Sequence, residues 1–108
     1  EGAGQCLVEQ TVYTEDGQLV TGSFMDYAMP RADIAPFFVY EDASIPATTN
    51  PLGTKGCGEA GCAGSLTSIM NAIIDALRSE YGITNMDMPA TPHRVWQAIQ
   101  DAQKAKAA

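Results

Sequence analysis

Histidine is nearly missing from this 108-residue chain: His93 stands alone, with no partner motif, and reads as a surface residue rather than half of a catalytic imidazole pair. Positive charge is scarce as well. Six basic residues against 13 acidic ones give a net charge of −7, which disfavours a nucleic-acid or anionic-membrane role. The three cysteines cannot all pair with one another. Cys57 and Cys62 lack zinc-type spacing and an accompanying histidine, so reduced thiols in a cytoplasmic protein are expected. No apolar run approaches the ~20 residues that a membrane span needs. There is no initiator methionine and no secretory hydrophobic stretch, and the abrupt opening Glu1-Gly2-Ala3-Gly4 leads us to expect a piece of a longer protein. At this length the chain suits a single domain, residues 1–108, with a modest core, and is too short for a multi-cofactor enzyme.

What the sequence does have is glycine, concentrated in Gly53-Thr54-Lys55-Gly56-Cys57-Gly58-Glu59-Ala60-Gly61-Cys62-Ala63-Gly64, a run with a single carboxylate that empties into an apolar helix. Glycines let a backbone turn through positive φ and approach a ligand without a Cβ in the way. A glycine loop ahead of a helix also aims N–H groups at whatever lies in front, which suits an oxygen-rich ligand. Glu59 stands among those donors, and two readings of it are open. A glutamate at a helix front is favoured by the macrodipole alone; a positioned general base is the sharper reading. A phosphate cradle is a third option, but Lys55 is followed by Gly56 rather than Ser or Thr, and Glu59 would repel a phosphate.

The remaining stretches predict an α+β fold. Gly4 to Gln10 reads as the tail of a helix with Leu7 and Val8 inward, and Glu9 has no assigned role. Thr11–Thr14 and Gln18–Thr21 are β-prone runs around Asp16-Gly17, a hairpin signal. Asp26 and Tyr27 read as hydrogen-bonding residues at a strand end, with ligand contact as the alternative. The aromatic run Phe37–Tyr40 predicts a further strand, with Pro36 at its start or on an edge. From Glu41 to Gly64 no period is visible, and a connection of that length in a compact domain is usually functional or disordered. Leu66, Ile69, Met70, Ile73, Ile74, Leu77 and Tyr81 then form one broad apolar helical face, with N-cap hydroxyls at Ser65–Ser68 and Gly82 as the stop. Thr91-Pro92 caps a second helix through Val95, Trp96, Ile99 and Ala102. Two helices, near Ser65–Tyr81 and Pro92–Gln103, are thus expected on one face of an antiparallel sheet.

The full string Asn50-Pro51-Leu52-Gly53-Thr54-Lys55-Gly56-Cys57-Gly58-Glu59-Ala60-Gly61 resembles the C-terminal end of the molybdenum-binding subunit of the molybdenum hydroxylase, or xanthine oxidase, family. Gly22-Ser23-Phe24-Met25-Asp26-Tyr27-Ala28-Met29-Pro30-Arg31-Ala32-Asp33 is similar to the family's segment after its hairpin, and Met86-Asp87-Met88-Pro89-Ala90-Thr91-Pro92 with Arg94-Val95-Trp96 to its closing helix. Three separated motifs in the family's order cover nearly the whole chain. One departure lies at the start: Glu1 stands where the family carries a Gln near the pterin.

The resemblance implies a fragment of a larger molybdopterin-binding domain, in an enzyme that hydroxylates an aldehyde or N-heterocycle or oxidises carbon monoxide with oxygen taken from water. The cofactor so implied is a molybdenum-pterin, its cytosine dinucleotide form being one candidate, and none is expected in the isolated fragment. Glu59 matches the family's base, the Glu of Gly-x-Gly-Glu-Ala-Gly, and is expected to be partly desolvated. Lys55, Gly56, Cys57, Gly58 and Glu59 match the loop that packs against the cofactor, none of them as a metal ligand. The implied partners are the remainder of the subunit, iron–sulfur and flavin domains or subunits, and a small-molecule substrate. The 50–61 segment is expected to be mobile without its ligand, and a cut-out piece to self-associate through apolar surface. The competing reading is a non-catalytic ligand-binding or interaction module that keeps the family's sequence.

Overall fold

The computed structural model describes residues 1–107. Three helices carry the fold: α1 over Gly2–Leu7, α2 over Ala60–Tyr81 and α3 over Pro92–Ala107. Helix α2 begins five residues before the expected Ser65 and takes Gly61 and Gly64 into its first turns. The hydroxyls of Thr67 and Ser68 therefore donate back to the Gly64 carbonyl, at 3.1 and 2.8 Å, instead of capping an N-terminus. The expected stop holds. Gly82 is left-handed (φ 75°, ψ 16°), its N–H donates to the Arg78 carbonyl at 3.0 Å, and Ile83 N–H reaches the Leu77 carbonyl at 3.4 Å. Helix α3 opens as expected on Pro92, with Thr91 Oγ1 accepting the Arg94 N–H at 3.4 Å.

The antiparallel sheet does not form, and the α+β expectation gives way to a mostly helical fold. Asp16-Gly17 does make a turn: Gly17 has φ 82°, and Thr14 N–H donates to the Gln18 carbonyl at 2.9 Å. Only one isolated antiparallel bridge, Tyr13 with Leu19, follows from it. Among the described residues nothing pairs with the outer edges of these runs, whose side chains are nearly all exposed, and a two-stranded ribbon alone is marginal in water. Phe37–Tyr40 likewise forms no strand, for the same reason.

The core is small and lies where the three helices meet. Cys6 is fully buried and clusters with Met70 and Ala90, against which Leu66, Ile69, Ile73, Met86 and Val95 pack. Helix α1 reaches that position because its glycines remove the side chains that would hold it off. A Cβ on Gly4 would come 2.6 Å from Pro30 Cγ, and one on Gly2 would come 2.8 Å from Ser65 Cβ. Cys6, more than the expected Leu7 and Val8, is the inward residue of α1. Its thiol donates to the Leu66 carbonyl at 3.5 Å, and its own carbonyl accepts the Ala90 N–H at 2.6 Å, tying α1 to α2 and to the segment just ahead of α3.

Around this knot the chain is open. The radius of gyration is 18.5 Å, against the ~13 Å typical of a compact domain of this length. Exposed large apolar side chains run from Phe24 to Leu52. Helix α2 also corrects the expectation of no span-length run: at 22 residues it is long and apolar enough, by length and composition, to cross a membrane. Alanine and glycine supply part of that apolar character, and its larger side chains, from Leu66 to Leu77, form the stripe that meets α1 and the core.

Candidate functional site

The glycine run lies between a closed turn and the front of α2. In Asn50-Pro51-Leu52-Gly53 the Gly53 N–H donates to the Asn50 carbonyl at 3.1 Å, and Gly53 has φ 65°. Here glycine is required twice over, since a Cβ would also sit 2.8 Å from Pro46 Cβ. The Asn50 side chain clamps the exit: its Oδ1 accepts Thr54 N–H at 3.0 Å and its amide donates to the Thr54 carbonyl at 2.9 Å. Residues 50–54 are thus tied together by their own hydrogen bonds.

Lys55, Gly56, Cys57, Gly58 and Glu59 follow, all exposed. The structure brings them together as one stretch leading into the first turn of α2. Among the described residues, none of the N–H groups from Gly56 to Glu59 finds a backbone acceptor, and neither do those of Gly61 and Cys62 at the start of the helix. A Cβ at Gly56, Gly58, Gly61 or Gly64 would meet nothing within 4 Å, so this face of the chain is open. The result is a row of unpartnered donors with no side-chain obstruction, which suits an oxygen-rich ligand.

Glu59 occupies the N-cap of α2 with φ −107° and ψ −3°, and its carbonyl accepts the Ala63 N–H at 2.9 Å. Its carboxylate makes no capping hydrogen bond. The helix front therefore does not use the side chain as a cap, and the structural account of this glutamate rests on the macrodipole alone. The expected desolvation is absent in this chain, where Glu59 is exposed. Among the described residues, no group of three His, Cys, Asp or Glu side chains is arranged to hold a metal ion.

Sequence reasoning missed what lies beside the helix front. Glu1, Gly2, Cys62 and Ser65 line a cleft of about 230 Å³ between α1 and α2. The Cys62 thiol is held above its ordinary value, first by its hydrogen bond to the Glu1 carboxylate and then by that carboxylate's negative charge. Ser65 Oγ is buried there without a partner. The available signal was a pair of small residues, Gly2 and Ser65, whose contact permits close approach of the two helices.

The other candidates fall into structural roles. The Tyr27 hydroxyl donates to the Glu9 carboxylate at 2.5 Å, and Asp26 accepts from the Ser23 hydroxyl at 2.7 Å. Glu9, expected to have no role, is thus a partner. His93 is exposed and stacks on Trp96, ring centroids 6.0 Å apart. Its hydrogen bond to Glu9 holds the Tyr27 hydroxyl above the usual phenol range, and burial pushes the Cys6 thiol up. With Cys62, all three shifts are upward, so the folded chain holds these protons more tightly than the unfolded one. The stability they contribute is complete below about pH 9 and is lost as pH rises through the raised values. The urea midpoint should accordingly fall above about pH 9, and Tyr27→Phe should make that fall shallower. An identical alkaline profile in wild type and Tyr27→Phe would show that the Glu9 contact contributes nothing.

Comparison with known proteins converges on one family. Residues 1–36 match the profile of the "Molybdopterin cofactor-binding domain". The chain is 40% identical to the 6-hydroxypseudooxynicotine dehydrogenase complex subunit gamma of Paenarthrobacter nicotinovorans, over 98% of this chain and 13% of that protein. It is 31% identical to the carbon monoxide dehydrogenase large chain of Hydrogenophaga pseudoflava, over 94% of this chain and 12% of the other. Its backbone is similar to that of quinoline 2-oxidoreductase from Pseudomonas putida 86, with a TM-score of 0.81 and 31% identity over 93% of this chain and 13% of that one. The chain therefore spans about an eighth of the length of these relatives. It belongs to the family of molybdenum hydroxylase large subunits.

Proposed function

We propose that this chain is the part of a molybdenum hydroxylase catalytic subunit that contributes the general base, Glu59, to oxidation of a small molecule with oxygen from water. The observation that carries the reading is an uncapped Glu59 carboxylate beside the unpartnered N–H groups of Gly56–Glu59, in a chain of this family. The substrate class is an aldehyde, an N-heterocycle or carbon monoxide, in keeping with relatives named for nicotine 6-hydroxylation, quinoline oxidation and carbon monoxide oxidation.

The residues present fit a molybdenum-pterin. The N–H groups of Gly56, Cys57 and Gly58 would donate to its oxygens, and Lys55 would add a charged donor. The open face at Gly56 and Gly58 leaves room for a bulky group against the backbone. When bound, that group supplies the oxygen-transfer and redox chemistry. Glu59 takes a proton, and its N-cap position holds the carboxylate beside the donor row without tying it up in a capping bond. Coverage of the loop by the rest of the subunit would desolvate the carboxylate.

The cytosine dinucleotide form of the cofactor, iron–sulfur and flavin partners that receive the electrons, and a cytoplasmic location complete the proposal. Residues 1–108 act in it as one unit of a larger cofactor-binding domain. The test is Glu59→Gln in a full-length large subunit, with molybdenum content measured alongside turnover. A companion expectation concerns the 108-residue chain alone: one loop offers too few contacts to retain a pterin, so purified chain should carry no molybdenum by elemental analysis. Stoichiometric metal in it would overturn the division of labour proposed here.

A further inference from the structure

From Ala35 to Pro46 no backbone N–H or C=O takes part in a backbone hydrogen bond among the described residues. Within that stretch Pro36-Phe37-Phe38-Val39-Tyr40 forms no helix or turn, and in a strand, whose successive side chains face opposite ways, Phe37 and Val39 would share one side and Phe38 and Tyr40 the other. Phe37 is fully exposed and Val39 is 90% exposed, with Phe38 and Tyr40 close behind. A strand with one face in water alternates apolar with polar residues. A run that is apolar on both faces is the pattern of a strand covered on both.

We infer that residues 36–40 are a strand that pairs into a β-sheet supplied by the rest of the large subunit and is covered there on both faces. The inference rests on reading the chain as a piece of such a subunit. The occupant follows from two observations. The 108 residues correspond to only 13% of the quinoline 2-oxidoreductase chain, so most of such a protein lies outside them. They also contain, among the described residues, no sheet that could receive the strand. A second copy of this chain is a poor receiver: pairing two such segments would satisfy backbone groups but leave both apolar faces uncovered, and a two-stranded ribbon of that kind is marginal. Pro36, which cannot donate to a ladder, sits at the strand's first residue, where that loss is tolerated. Phe38 also lines the cleft beside the front of α2, so one face of the strand adjoins the Glu1–Cys62 cluster.

Hydrogen–deuterium exchange on a full-length large subunit reads this directly. The amides of Phe37–Tyr40 should exchange at least about tenfold more slowly than in a free peptide of the same sequence. Slowing of less than tenfold in a molybdenum-loaded subunit overturns the strand and leaves the proposed function standing. Slowing that vanishes on dilution marks pairing with a second copy and also overturns it. A subunit that never carries molybdenum counts against the function instead, while its exchange still reports on the strand. Phe37→Lys and Phe38→Lys test the two faces, each being expected to lower the melting temperature of the subunit. Wild-type melting in either variant would show that face open to water and sink two-sided coverage.

Discussion

Glu59→Gln in a full-length large subunit is expected to lower turnover by about 10²–10⁴ while molybdenum content stays at the wild-type level. Glutamine keeps the size and hydrogen-bonding shape of the side chain but cannot accept a proton. The helix front should lose no more than the macrodipole contribution, about 0.3–1 kcal/mol, because the Glu59 carboxylate makes no capping bond and only its carbonyl enters the helix ladder. That separates the catalytic from the structural account: loss of a cap would cost about 1 kcal/mol of stability, and loss of a base costs rate. A suitable control is Glu15→Gln, an exposed acid at the Asp16-Gly17 turn, whose rate should stay within about twofold. Glu9 would be a poor control, since it holds the Tyr27 hydroxyl. Unchanged turnover at normal molybdenum loading in Glu59→Gln would reduce Glu59 to a helix-end carboxylate.

The second large effect comes from one chemical change made at two glycines. Gly2→Ala introduces a Cβ that would fall 2.8 Å from Ser65 Cβ, closer still to Ser65 Oγ, and 3.4 Å from the Leu66 nitrogen. Neither Ser65 Cβ nor the α2 backbone can swing aside as a flexible side chain would, so α1 must lift off. Overpacking of this kind costs about 1–3 kcal/mol. Gly64→Ala adds the same methyl group where nothing lies within 4 Å, inside α2, and should stabilise by about 0.5–1 kcal/mol by restricting the unfolded chain. Followed by helical circular dichroism on the 108-residue chain, Gly2→Ala should melt roughly 5 °C or more below wild type and Gly64→Ala a few degrees above it. Equal melting of the two variants would mean that α1 does not pack on α2 as described.

The parts of the fold that were legible in the sequence are those decided locally. The start of α3 at Thr91-Pro92 and the stop of α2 at Gly82 rest on capping chemistry within a few residues, and the structure has both. The front of α2 was misjudged because Gly61 and Gly64 look like loop residues, whereas Ala60, Ala63 and the apolar turns beyond carry the helix through them. The strands were misjudged for a different reason. Thr11–Thr21 and Phe37–Tyr40 have real β-propensity, but a strand exists only with a partner, and the described residues hold a single bridge. At the site, the Lys55–Glu59 motif was legible as residues in a row. The approach of Glu1 and Gly2 to Cys62 and Ser65 was not, because it depends on how two helices pack across some sixty positions of chain.

Helix α2 overhangs its own anchor. Leu66, whose carbonyl takes the Cys6 thiol and whose side chain packs on the core, is held in place, and Glu59 lies seven residues earlier, about 10 Å away at 1.5 Å per residue. Over that lever a tilt of about 5° carries the tip sideways by about 1 Å, a misplacement of the size that costs on the order of a hundredfold in rate. Angular tolerance where α1 meets α2 is therefore passed forward to Glu59 as positional error.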